Sequence, residues 1–114
     1  MISLLNSKIH SATVTGCRTD YVGSISLDTR LITGCGLNLN EKVLVANIDN
    51  GARLETYVIE GGAGVVELNG AAAKLAKEGD KVIIMSFGLF TEDEAKNHKP
   101  KIVFVDARNN ILTN

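Results

Sequence analysis

A mainly β fold, closed into a barrel and decorated with short helices, is what this sequence predicts. Three observations lead there. Aromatic residues make up 4% of the chain and Trp is absent, while hydrophobic residues make up 45%, so the core must be built from Val, Ile, Leu and Ala. Seven or so short alternating or apolar runs follow one another almost continuously, each bounded by Gly, Asn or Asp, and strands so crowded remove their exposed edges by closing on themselves. Asp49-Asn50-Gly51, between two such runs, is a strong hairpin signal because Asn-Gly accepts the positive φ that tight hairpin turns need. At 114 residues the chain makes a single domain, 1–114, with a modest core.

The elements follow in order. Alternation over Ser3–Thr15 predicts the first strand, with Lys8 and His10 on one face and Ile9 on the other. Gly16–Asp20 reads as a loop and Tyr21–Leu27 as the second strand. Asp28 then caps a helical turn through Thr29–Ile32 that stops at Gly34. Glu41–Ile48 and Ala52–Glu60 are the hairpin strands, and in the second of them Arg53, Glu55 and Tyr57 share a face. Gly61–Gly64 connects to a strand at Val65–Leu68. Asn69–Lys77 reads as a short helix with Asn69 at its cap, Ala-rich, with Gly79 beyond its end. Its first amides, at Gly70, Ala71 and Ala72, are either an anion site or simply the start of a capped helix. Lys81–Phe87 is almost wholly apolar and predicts a strand buried on both faces. Thr91 and Glu94 form a capping box for a last helix that Pro100 ends, with His98 at the surface, and Ile102–Val105 is the final strand.

Bulk properties narrow the function. Lys and Arg total 12 against 13 Asp and Glu, so no net field draws the chain to nucleic acid or to an anionic membrane, and few aromatics are available to stack on bases. Met1–Leu5 is broken by Asn6-Ser7-Lys8 and no apolar run reaches spanning length, which predicts a cytoplasmic protein with no membrane partner. Cys17 and Cys35 lie outside any CxxC spacing and lack a nearby His pair, so they read as incidental or buried thiols, with no metal site.

One stretch carries chemistry. In Tyr21-Val22-Gly23-Ser24 a serine follows a glycine at the mouth of a strand. Most such bonds are turns. With backbone strain and oxyanion stabilisation, however, the serine hydroxyl attacks the preceding carbonyl and exchanges the amide for an ester, and a glycine without Cβ permits the conformations that attack needs. Elimination from the ester leaves a pyruvoyl group on residue 24 and so makes Ser24 its own cofactor precursor.

Lys8-Ile9-His10, Tyr21-Val22-Gly23-Ser24, Asn50-Gly51-Ala52-Arg53, Glu55-Thr56-Tyr57, Asn69-Gly70-Ala71-Ala72-Ala73 and Gly79-Asp80 occur in that order. With them, nearly the whole chain resembles the bacterial pyruvoyl-dependent aspartate 1-decarboxylases. Val22 stands where some relatives are acidic, and the tail ends soon after Ile111-Leu112. The resemblance implies a double-psi β-barrel, a homotetramer, and a proenzyme cut between Gly23 and Ser24 into 1–23 and 24–114. It implies decarboxylation of L-aspartate to β-alanine, supplying pantothenate and coenzyme A synthesis, through an imine between the substrate amine and the pyruvoyl ketone, the electron-sink chemistry that pyridoxal phosphate performs elsewhere.

The resemblance also assigns residues. Arg53 and Lys8 receive the substrate carboxylates, with donors from Gly70, Ala71 and Ala72. Thr56 lies near the scissile carbonyl, and Tyr57 supplies the proton that replaces the carboxylate, with Tyr21 as the competing phenol. Asn69 is both cap and site donor, and His10 either packs over the substrate or serves the structure. An accessory maturation factor is compatible with the sequence. The rival reading is a non-catalytic double-psi barrel acting as a binding module, in which Gly23-Ser24 is only a turn. A nucleic-acid-binding barrel is disfavoured by the charge balance.

Overall fold

The computed structural model describes residues 1–112. Eight strands form one sheet: β1 (Ile2–Thr13), β2 (Gly16–Arg18), β3 (Ser24–Asp28), β4 (Lys42–Asn47), β5 (Arg53–Gly61), β6 (Val66–Asn69), β7 (Lys81–Phe90) and β8 (Lys101–Phe104). Their order is β2-β6-β3-β5-β4-β7-β1-β8. The chain itself draws the ends of that order together. β1 is the second strand from one end and β2, begun three residues after β1 stops, is the strand at the other. Between them Val14 N–H donates to Asp80 O and Thr15 N–H to Val66 O, at 2.8 and 2.7 Å, so residues 2–18 bridge both margins and the sheet curls into a barrel. Three pairs are parallel, β1/β8, β2/β6 and β3/β5, and four are antiparallel, β3/β6, β4/β5, β4/β7 and β1/β7, a mixture that fits the double-psi form.

The interior is aliphatic, as the composition requires. Ile9, Ile25, Leu27, Val43, Val45, Val58, Val66, Leu68, Val82 and Ile84 are essentially solvent-free, and Leu31, Ile32 and Cys35 of α1 (Thr29–Cys35) close one end. Asp28 caps α1 as predicted, accepting from Arg30 N–H at 2.8 Å. The helix runs past Gly34 to Cys35 because Gly36, at φ +71°, is the left-handed cap that turns its N–H back onto the last carbonyls. The capping box of α2 (Glu92–Asn97) forms with both of its bonds. No helix among the described residues is long and apolar enough to cross a membrane.

Several elements differ from the sequence expectation for local reasons. The predicted strand Tyr21–Leu27 starts only at Ser24, and the predicted loop at Gly16 forms β2 by pairing with β6. The helix expected over Asn69–Lys77 is a 3-10 turn, Gly70–Leu75, and Asn69 makes no cap bond; its Nδ2 donates to the Ser24 and Ser26 hydroxyls of β3. β7 is not buried on both faces: Val82, Ile84 and Ser86 are inside, whereas Ile83 and Met85 are half-buried and Phe87 and Leu89 are exposed. His98 is not a free surface residue. Its ring lies 4.1 Å from that of Phe90, and its Nε2 makes a 2.8 Å hydrogen bond with Leu5 O, pinning the end of α2 to β1.

Candidate active site

Ser24 opens β3 with its side chain buried, paired in register with Asn69 of β6. That pairing sets two polar side chains on one face. Asn69 Nδ2 donates to Ser24 Oγ at 2.9 Å and to Ser26 Oγ at 3.0 Å, while Ser24 Oγ donates to Val22 O at 3.0 Å. A serine hydroxyl bonded to the carbonyl two residues back is folded over the intervening peptide, here the Gly23–Ser24 bond. One lone pair takes the Asn69 amide and the other is free. Asn69 Oδ1 is buried and has no partner among the described residues. A buried, half-satisfied amide is a cost to the fold that a purely structural turn would avoid.

The backbone before Ser24 is held just as closely. A Cβ placed on Gly70 would lie 2.6 Å from Gly23 Cα, 2.8 Å from Gly23 N and 3.2 Å from Tyr21 O, and Gly70 has φ +69°. Only glycine lets the start of the 3-10 turn press against the Tyr21–Gly23 segment. Gly23 itself has open space around it. Tyr21 is exposed, with the Arg18 guanidinium 5.0 Å from its ring centroid.

β5 brings the next residues. The register that pairs Ile25 with Val58 sets Ser24 beside Tyr57 one step earlier. Val58 is buried and Leu54 packs on the core, so Arg53, Glu55 and Tyr57 face outward, as the period of two predicts. Tyr57 and Thr56 line an open cleft of about 650 Å³ with Asn40, Lys42 and Glu55. Lys42 and Glu55 were not read as site residues from the sequence, where a Lys and a Glu on strands look like solvated side chains.

Lys8 and His10 are not brought to this cleft within one chain. The outward row across the sheet runs Glu55, Leu44, Met85, Lys8, Ile102, which puts Lys8 three strand spacings from β5, about 14 Å along the sheet. His10 packs 5.4 Å from Phe104, with Nδ1 buried and unpartnered among the described residues. The two cysteines are free thiols. Burial pushes Cys35 up to about 11, which leaves it an inert core thiol.

The profile of the aspartate decarboxylase family matches residues 1–112. The chain belongs to the aspartate decarboxylase family. It is 56% identical to an aspartate 1-decarboxylase of Caldicellulosiruptor saccharolyticus, covering 98% of this chain and 89% of that one. It is 61% identical to one from Campylobacter jejuni subsp. jejuni strain 81-176, covering 95% and 86%, and 53% identical to one from Carboxydothermus hydrogenoformans, covering 97% and 89%. Against that family background, the hydroxyl of Ser24 folded over the Gly23 peptide is the feature of this aspartate decarboxylase family member that calls for a chemical explanation.

Proposed function

We propose that this protein decarboxylates L-aspartate to β-alanine and carbon dioxide, and that it first cuts its own chain between Gly23 and Ser24. Family membership together with the hydroxyl of Ser24 supports this reading. Attack of Ser24 Oγ on the Gly23 carbonyl carbon forms the C–O bond, breaks the C–N bond and leaves the proton on the Ser24 nitrogen. Loss of the Ser24 α-proton and cleavage of its Cβ–Oγ bond then release fragment 1–23 with a Gly23 carboxylate. Water replaces the nitrogen of the resulting dehydroalanine, ammonia departs, and a ketone remains at the head of 24–114. The Asn69 amide, which holds Oγ before attack, stands at the same oxygen when it leaves with Gly23.

The residues around position 24 suit such a group: it is made in place, in a buried pocket whose Gly70 leaves no Cβ in the way. Once present, the pyruvoyl ketone supplies an electrophile for the substrate amine and an electron sink for the pair released with carbon dioxide. The chain supplies the rest. The guanidinium of Arg53 receives a substrate carboxylate, the amides at Gly70–Ala72 and the Thr56 hydroxyl are available donors, and the phenol of Tyr57 gives its proton to the α-carbon.

Assembly as a homotetramer belongs to the same reading. The outward face of β4, β7 and β8 carries Leu44, Ile83, Met85, Phe87, Ile102 and Phe104, with Phe87 and Phe104 both 49% exposed, an apolar stretch of the kind that a second copy covers. Lys8 lies in that face, so in such an assembly a neighbouring copy offers its Lys8 to a cleft that the chain's own Lys8 does not reach. A cytoplasmic location belongs to the same reading.

The test is intact mass followed over time in wild type and Ser24→Ala. The wild type is expected to split into 1–23 and 24–114, with the larger fragment lacking a free amine and releasing carbon dioxide from L-aspartate. Ser24→Ala is expected to stay whole and inactive. A wild-type chain that remains whole, with or without an added accessory factor, would favour the binding-module reading.

A further inference from the structure

We propose that Lys42 determines how well the cleft receives a dicarboxylate, by neutralising Glu55. The inference rests on the reading that L-aspartate is the substrate. Arg53, Glu55 and Tyr57 share the outward face of β5, so Glu55 stands between the cation that takes a carboxylate and the phenol that serves the reacting carbon, about 7 Å along the strand from each. A carboxylate bound on this face therefore lies beside the Glu55 charge. Left alone, that charge opposes both carboxylates of aspartate.

Lys42 removes the opposition. It is the register partner of Tyr57 across β4 and β5, and its Nζ lies 3.1 Å from Glu55 Oε2. Both side chains line the same cleft as Tyr57. They are 76% and 63% exposed, and an ion pair so open to water adds little to the stability of the fold. What it changes is the charge the substrate meets. With Lys42 present, Arg53, Glu55 and Lys42 sum to one positive charge; without it they sum to zero, with the negative group in the middle. Lys42 is therefore a specificity-determining residue, acting through Glu55 on binding and leaving the proton transfer at Tyr57 alone.

The experiment compares fully processed wild type, Lys42→Met, Lys42→Arg, Glu55→Gln and the double variant Lys42→Met/Glu55→Gln. Lys42→Met is expected to raise KM for L-aspartate about two- to fivefold at low ionic strength, the scale of an exposed charge interaction, with kcat unchanged and the effect fading as salt is added. Lys42→Arg should keep the wild-type KM. The double variant should return KM toward wild type, because the charge needing neutralisation is gone, and inhibition by succinate should follow the same order while inhibition by propionate moves less. A merely structural lysine would not be rescued by Glu55→Gln. An unchanged KM in Lys42→Met, or a double variant no better than Lys42→Met, overturns the proposal while leaving the decarboxylase reading intact. A processed wild type that releases no carbon dioxide from L-aspartate overturns both.

Discussion

Gly70 and Gly23 meet backbone to backbone, so closely that a methyl on Gly70 would lie 2.6 Å from Gly23 Cα. The 3-10 turn therefore acts as a stop against the peptide that we propose is cut. Gly70→Ala adds both a clash with backbone and a side chain at φ +69°, a strain of order 1–3 kcal/mol. If it falls on the conformation from which Ser24 attacks, processing should slow by roughly tenfold or more. Gly79→Ala is the control, since Gly79 also has a positive φ, +95°, but a Cβ there meets nothing within 4 Å. Equal processing rates in the two variants, read by intact mass over time, would mean that the contact does not serve cleavage.

Acid should unfold the protein through two buried carboxylates. Asp28, at the far end of the strand that begins with Ser24, is held down to about 2, first by the Arg30 side chain and then by the N–H groups of Gly64 and Arg30, against the opposing effect of its burial. Asp80 is held down to about 2, first by the Lys77 side chain, then by the Asn47 amide and Lys77 N–H. Both folded values lie below the unfolded carboxylate value near 3.9. The stability they provide is thus complete above about pH 4 and is lost as pH falls toward 2. The melting temperature should be flat from pH 7 to 5 and drop steeply below 4, and Asp28→Asn should start lower and drop less. A variant whose acid profile parallels wild type would remove Asp28 from the account.

Features set by neighbouring residues were legible in the sequence. The Thr91–Glu94 capping box, the Asp28 cap and the shared face of Arg53 and Tyr57 each depend on spacings of a few residues. Features set by pairing across the sheet were not. Asn69 reads as a helix cap because an Asn before an Ala-rich run usually is one, yet its amide faces Ser24 from the adjacent strand. The run Val82-Ile83-Ile84-Met85 reads as doubly buried because hydrophobicity alone cannot tell a core face from an apolar face left half-exposed. The separation of Lys8 from Arg53 follows from β4 and β7 lying between their strands, and the Lys42–Glu55 pair from a register no local pattern encodes.

That apolar face yields its own prediction. Phe87 is half exposed on the outward side of β7, away from the Ser24 pocket. Phe87→Asp should leave each chain folded, because the residue contributes little to the core, and should break the proposed homotetramer into smaller species by light scattering. Decarboxylation should fall with the loss of tetramer, since Lys8 then has no neighbouring cleft to enter. A variant that stays tetrameric would place the interface elsewhere.

Tyr57 carries the last prediction, because it stands beside Ser24 across the β3–β5 register and shares a face with Arg53. The carbanion left by carbon dioxide must gain a proton at carbon before β-alanine can leave, and a phenol on the same face as the guanidinium proposed to bind a carboxylate can deliver it. Tyr57→Phe removes only that hydroxyl. Chain cleavage should proceed, aspartate should still bind, and kcat should fall by roughly 10²–10⁴, the scale of removing a positioned acid. Arg53→Ala should instead raise KM most, since it removes a partner the substrate needs before chemistry begins. Tyr21→Phe is the necessary comparison: Tyr21 is exposed with Arg18 over its ring and precedes the cleavage site by two residues, so its hydroxyl should matter little to turnover. If processed Tyr57→Phe keeps kcat within about tenfold of wild type while Tyr21→Phe loses it, the proton comes from the segment ahead of the cut.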